Sequence, residues 1–504
     1  MSEVVAELKS ITKYFGPFRA NYNLNLTLKK GEVHALLGEN GAGKSTLMNI
    51  FYGIHKPSSG EIFVRGKNVR ITDPIAAIKL GIGMVHQHFM LIGPLTVAEN
   101  IVLGMEPRSW WGKIKRGEAC EEVRRISKEF GLEVDPLAKI ENLSVGMQQR
   151  VEILKTLYRG AEIIILDEPT AVLTPQEIVE LGVIIKRLTA QGKSIVIITH
   201  KLKEIKNFAH LCTVIRKGEY VDTVEVEKTS EEDLAALMVG RKVDLKVTGE
   251  KKVPGPLILS IKNLCVQNDR GLPAVSSLDL DVFRGEILGI AGIDGNGQSE
   301  FVEALVGVRK IVEGSLLHNG EELAGLNPRE IAHKKIACIP HDRQVDGLVL
   351  DFTIAENSAL KNYHKFPQSK WGILNPKAII KFSKELIAKF DVRPPLENKL
   401  AKELSGGNQQ KVIIGRELAL DPDLLIACQP TRGLDVGAIE YVHRSLIDQR
   451  NAGKAVLLFS LELDEVLNLS DRIAVISEGK IVKIFNKDEA NEKNVGFYMG
   501  GGRA

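Results

Sequence analysis

Apolar residues fall into two alternating patterns along the chain. Short β-branched runs, IIIL at residues 163–166, IVIIT at 195–199 and VLLFS at 456–460, read as buried strands. Longer mixed segments lie between such runs, as in PQEIVELGVIIKRLTAQG at residues 175–192, where apolar positions recur at helical spacing. Strands alternating with helices predict an α/β domain on a largely parallel sheet. The apolar runs stay far below the roughly 18 to 20 residues of a spanning helix, so the chain is expected not to cross a membrane.

The whole pattern then repeats. KKGEVHALLGENGAGKSTLMNIFYG at residues 29–53 returns as FRGEILGIAGIDGNGQSEFVEALVG at 283–307. LTVAEN at 95–100 returns as FTIAEN at 352–357, LSVGMQQR from Leu143 as LSGGNQQK from Leu404, and IIILDEPT at 163–170 as LLIACQPT at 424–431. Gly38 and Gly292 lie 254 residues apart, whereas Leu143 and Leu404 lie 261 apart, so the second copy holds seven extra residues between these points. A period of this size is a domain duplication, not a solenoid. Between the copies, RKVDLKVTGEKKVPGP at 241–256 is charged, lacks an apolar period and ends in Pro and Gly. The expected organisation is a first domain over 1–242, a linker over 243–256 and a second domain over 257–504.

Composition narrows the setting. The 504 residues are 44% hydrophobic and 26% charged, an ordinary globular balance. Lys and Arg number 67 against 64 Asp and Glu, a net charge of +3, which gives no electrostatic case for a nucleic-acid partner. Five cysteines, an odd number without a CxxC pair, support neither a disulfide framework nor a zinc site. The start, MSEVVAELKS, lacks a basic-then-apolar signal region. A reduced, cytosolic setting is expected.

GENGAGKST at residues 38–46 follows the strand EVHALL and opens a helix, the context of a phosphate-binding loop. Gly38, Gly41 and Gly43 let the backbone around Asn40 curl until several N–H groups face one phosphate, and the helix start before Thr46 adds a favourable dipole. Lys44 is expected at the β and γ phosphates and Ser45 on Mg²⁺. The strand at 163–166 delivers Asp167 to the same metal ion and places Glu168 to polarise a water.

With LSGGNQQ at residues 404–410 following a phosphate loop in the same copy and preceding a strand, the chain resembles the ABC-type ATPases over essentially its whole length. The resemblance implies an α/β fold of two tandem ABC-type P-loop ATPase domains, each a mixed, largely parallel sheet with a helical subdomain. It implies ATP held between the phosphate loop of one domain and the signature of the other, here Ser405, Gly406 and Gly407. It places Tyr14 on adenine, makes Gln87 the glutamine that links Mg²⁺ and the attacking water to a membrane partner, and makes His200 the switch histidine at the γ phosphate.

The second copy departs where chemistry would notice. Gln298 stands for Lys44, Cys428 for Asp167, Gln429 for Glu168, Leu461 for His200 and His341 for Gln87. Neither a cation for phosphate nor a carboxylate for metal or water remains there. The first copy's signature is weakened as well, because Val145 stands where the second has Gly406 and obstructs close backbone approach. One complete and one damaged site are expected. The phrases LSVGMQQRVEILKTLYRGAEIIILDEPTAVLTPQEI and QPTRGLDVGAIEYVH look like the ATP-binding subunits of bacterial importers for simple sugars and nucleosides. MVHQHFML at residues 84–91 looks closer to the nucleoside branch than to the ribose and galactose branch. The resemblance implies two integral-membrane permease subunits, an extracytoplasmic substrate-binding protein reached through them, and a peripheral place on the cytoplasmic face of the membrane; it admits self-association. A soluble tandem ATPase acting on ribosomes or nucleic acid is the alternative class.

Overall fold

The computed structural model describes residues 3–87, 89–170, 173, 175–244 and 254–502. Residue 88 of MVHQHFML, residues 171, 172 and 174 of the AVLT stretch, and residues 245–253 of the expected linker lie outside the described residues. The chain divides into two compact units, Met1–Val243 and Asp244–Ala504.

In the first unit a ten-stranded mixed sheet carries everything else. Its parallel part runs Leu211–Arg216, Val33–Leu37, Ser194–Thr199, Ile163–Asp167 and Ile82–Val85, of which the third and fourth contain the apolar runs read in sequence. Val33–Leu37 and Ser194–Thr199 are buried at every position, as a sheet covered on both faces requires. The antiparallel part is a long hairpin, Val4–Phe15 against Phe18–Lys29, extended by Ser59–Val64 and Lys67–Val69. The tenth strand, Glu219–Glu225, lies antiparallel to Leu211–Arg216 and joins the two parts through a single parallel pair, Glu219 with Tyr22.

Helices Val97–Val102, Arg116–Phe130 and Val145–Tyr158 form a helical layer whose core is shared with the sheet through Val85, Ile164, Leu166, Ile195 and Ile197. Arg116–Phe130 buries Ala119, Val123, Ile126 and Phe130, one helical face, and stops at Gly131, whose φ of 64° closes the last turn. Val97–Val102 begins in a capping box in which Thr96 and Glu99 exchange hydrogen bonds.

The second unit repeats this plan with its sheet divided. Pro273–Phe283, Leu257–Gln267, Ile311–His318 and Glu321–Glu322 form one sheet. Ile336–Ile339, Leu424–Cys428, Ala455–Ser460, Ile287–Ala291, Arg472–Ser477 and Lys480–Asn486 form the other. The α/β class read from the alternation of strands and helices is therefore the observed one in both halves. No helix among the described residues is long and apolar enough to cross a membrane, and all five cysteines are free.

Candidate functional site

Strand Val33–Leu37 ends at the loop that leads into helix Lys44–Phe51. Gly43 stands at φ 96°, where its carbonyl accepts from Asn21 Nδ2 at 3.0 Å, and a Cβ there would overlap the Asn21 amide and the Ala20 carbonyl. Only glycine fits that seat. No side chain caps the helix start. Lys44 is buried and folds back over the loop, its Nζ donating to the carbonyls of Gly38 at 2.6 Å and Glu39 at 2.9 Å. Asn40, Gly41 and Ser45 are exposed around it and Thr46 is half-buried.

The end of strand Ile163–Asp167 brings two carboxylates to this loop. Burial, then the neighbouring Glu168 charge, pushes Asp167 up to about 6, against the pull of Lys44 and a hydrogen bond with the Ser45 hydroxyl. Glu168 takes a left-handed backbone, φ 46°, which turns its carboxylate out of the strand line. His200 Nδ1 lies 3.0 Å from its Oε1, and Gln87 Nε2 donates to its Oε2 at 2.8 Å. The hydrogen bond from His200 leads the causes that hold Glu168 below the usual carboxylate range. Lys44, Ser45, Gln87, Asp167, Glu168 and His200, read from separate motifs, are thus gathered into one cluster. Tyr14 is not joined to it: the residue is 45% exposed on the antiparallel hairpin, its N–H on Ser58 Oγ at 3.1 Å.

Sequence reasoning missed the support beneath the cluster. Buried Glu204 accepts from Thr199 Oγ1 at 2.7 Å and from the Thr170 hydroxyl, tying the strand before His200 to the turn after Glu168. The second copy repeats this with Glu465, which accepts from Thr431 Oγ1 at 2.9 Å and lies 3.0 Å from His443 Nε2. The paired spacing of Glu204 and Glu465, 261 residues like the flanking motifs, was the available signal.

In the second unit the geometry persists without the chemistry. Gln298 Nε2 reaches the Ile293 carbonyl at 3.0 Å, as Lys44 reaches that of Glu39. Gln429 keeps φ 47° and its N–H donates to the Phe459 carbonyl at 2.8 Å, matching Glu168 and Ile198 at 2.9 Å. Cys428, its thiol pushed up by burial, and Leu461 line a cavity of about 580 Å³ together with Gln298 and Gln429.

The two signature helices differ in the opposite sense. Helix Gly406–Leu418 starts at Ser405, and no side chain caps its backbone. Ser405 Oγ accepts instead from Asn408 Nδ2 at 2.8 Å, and the Arg343 guanidinium packs on Gly406. A Cβ on Gly407 would crowd Ala438. Helix Val145–Tyr158 is capped twice: Met147 N–H donates to Ser144 Oγ at 3.3 Å, and Gly146 N–H to Glu177 Oε1 at 3.2 Å. Glu177 corresponds to Ala438 at the same 261-residue spacing, so only the first copy fills its helix start with a carboxylate. Val145 is 38% exposed at the first turn of that helix.

A glycine-rich loop opening a helix at the end of a sheet strand, built twice on α/β sheets and faced by a strand-end acid pair in the first copy, defines a tandem pair of nucleotide-binding ATPase domains. The family model described as ABC transporter matches residues 22–171 and 275–432, and the chain belongs to that family and is an ATPase. It is similar to the guanosine import ATP-binding protein NupO of Bacillus subtilis, 55% identical over 99% of this chain and 98% of that protein. It is 52% identical, over 99% of both chains, to the nucleoside import ATP-binding protein NupA of Lactococcus lactis. Likeness to the ribose import ATP-binding protein RbsA of Halalkalibacterium halodurans is 37% over 99% of both.

Proposed function

We propose that this chain is the ATP-hydrolysing subunit of an importer for nucleosides, working through two separate integral-membrane permease subunits at the cytoplasmic face of the membrane and served indirectly by an extracytoplasmic binding protein. The observation that carries the substrate class is the full-length likeness to NupO and NupA, at 55% and 52%, against 37% for the ribose protein. The same likeness favours an importer subunit over a soluble ATPase of ribosomes or nucleic acid.

In this reading ATP binds with its phosphates on the loop from Gly38 through Gly43 and the helix start at Lys44, Ser45 and Thr46, with Asn40 beside them and Tyr14 on the base. Lys44 leaves the Gly38 and Glu39 carbonyls for phosphate oxygens, exchanging two neutral acceptors for charged ones. Ser45, Asp167 and Gln87 offer hard oxygen ligands, and the buried Asp167 carboxylate, held near pKa 6, lacks full compensation within the chain, so the donor set fits Mg²⁺. Bound there, the ion neutralises charge on the phosphates. Glu168 takes the proton of the attacking water, and His200 and Gln87 hold its carboxylate in place. Ser405, Gly406 and Gly407, at the uncapped start of helix Gly406–Leu418, supply N–H donors to phosphate.

The test is reconstitution of the chain with its permeases and binding protein in proteoliposomes containing ATP. Uptake of radiolabelled guanosine or another nucleoside is expected; uptake of ribose in its place would overturn the substrate class, and ATP turnover indifferent to the permeases would overturn the importer.

A further inference from the structure

Every tryptophan of the chain stands on one of two hairpin tips. Trp110 and Trp111 are 89% and 71% exposed and Trp371 is 91% exposed, and the chain has only these three. The first tip is closed by a bridge between Arg108 and Ile114 and by the Ser109 N–H on the Lys113 carbonyl at 2.8 Å, with the two indoles packed on each other at 4.6 Å. The second pairs Ser369–Lys370 with Ile373–Leu374 through a two-residue turn at Trp371 and Gly372, φ 57° and 80°. A bulky aromatic in the left-handed region is a strained choice for a turn that favours Asn or Gly at that position. The strain is spent on presenting an indole to the outside.

The tips occupy one position in the duplication. The first lies between helices Val97–Val102 and Arg116–Phe130, the second between Ile354–Ala359 and Pro376–Lys389. The second has the more basic surroundings. Residues 357–384 contain Lys361, Lys365, Lys370, Lys377, Lys381 and Lys384 and no acid. Among them Lys365, Lys370, Lys377 and Lys381 make no ion pair with a described residue. At the first tip Arg108, Lys115 and Arg116 are paired with Glu106, Glu118 and Glu99, and Lys113 makes no ion pair with a described residue. Ile373 and Leu374 on the same hairpin are exposed as well, as is Phe366 ahead of it in the chain.

Tryptophan at a tip, aliphatic neighbours behind it and cations around it form the residue set of a membrane–water interface: the indole seats among headgroups, the aliphatic groups reach the acyl boundary, and the lysines meet anionic lipid. A nucleic acid would find aromatic faces to stack on but no use for Ile373 and Leu374. We propose that both tips insert into the headgroup layer of an anionic bilayer and give this subunit a lipid anchorage of its own. The inference rests on the importer reading, which brings the chain to a membrane.

The three tryptophans make the test direct. The full chain is mixed with vesicles of phosphatidylglycerol and phosphatidylcholine in equal parts, and with vesicles of phosphatidylcholine alone, while tryptophan emission and flotation are followed. A blue shift and co-flotation with the anionic vesicles are expected, weakening as salt screens the lysines. Trp371→Ala, and separately Trp110→Ala with Trp111→Ala, should each lower vesicle affinity about tenfold. Lys370→Glu with Lys377→Glu should lower it by about as much at low salt, with basal ATP hydrolysis unchanged in all three. Emission and flotation indifferent to anionic lipid, or variants that bind like the parent, would overturn the anchorage. So would a blue shift that arises only with permease in detergent, which would assign the tips to a protein contact. Permease-stimulated hydrolysis in detergent needs no bilayer, so its persistence alongside failed vesicle binding would place the error in the anchorage and leave the importer reading standing.

Discussion

Glu168 carries the sharpest expectation at the scale of single residues. Both its oxygens are engaged, one by His200 and one by Gln87, and its acidity is strengthened, so it is ionised across the physiological range and held in one orientation. Glu168→Gln is expected to keep ATP bound and to slow hydrolysis by about 10² to 10⁴. Phosphate release set against nucleotide binding decides it, and turnover within a few-fold of the parent would remove Glu168 from the role. Asp167 runs the other way. Its pKa is raised to about 6, so it takes up a proton as pH falls through that value and loses the charge a metal ion needs. Affinity for Mg-ATP should therefore decline below about pH 6 more steeply than in Asp167→Asn, which should bind weakly throughout and keep only the inflection of the ATP terminal phosphate. Calorimetric titration across pH reads both.

The two signature helices decide the next expectations at the scale of elements. Gly407→Val inserts a branched side chain against Ala438 at an uncapped helix start and should abolish most hydrolysis, while Ser144→Ala in the first copy should change turnover little. Equal losses from the two would contradict the assignment of phosphate donors to Ser405, Gly406 and Gly407. Glu177→Ala removes the carboxylate from the start of helix Val145–Tyr158 and should cost about 1 kcal/mol, a melting shift of about 2 to 4 °C for a unit of this size, with hydrolysis retained. An unchanged melting curve would show that the contact contributes nothing. These elements also mark what local pattern encodes. Strand Ile163–Asp167 and the loop at Gly38 to Gly43 were legible because apolar runs and glycine spacing are properties of adjacent residues. The meeting of Glu177 with Gly146, of Glu204 with Thr170, and the single Glu219 to Tyr22 pair that unites the first sheet depend on segments 31 to about 200 residues apart, whose approach only tertiary packing determines. The hairpin at Ser369–Lys370 was hidden because its turn uses tryptophan where turn chemistry leads one to look for Asn or Asp.

For the molecule as a whole, the two copies share a scaffold and differ in the charged side chains they place on it. Gln298 and Gln429 reproduce the backbone and carbonyl contacts of Lys44 and Glu168, so the second copy lost its charges and kept its shape. Restoring one charge should not restore function, since the parts of a catalytic unit are strongly non-additive. Gln298→Lys in a Glu168→Gln background, assayed with the permeases, is expected to leave hydrolysis at the level of Glu168→Gln alone; parental turnover would reveal a base in the second unit that none of these residues supplies. Glu177 carries this difference one step further. The start of helix Val145–Tyr158 already holds a carboxylate, whereas no side chain caps the start at Gly406. A free phosphate therefore meets a like charge at the first start and a favourable dipole at the second, a contrast written into the two helices before any nucleotide arrives.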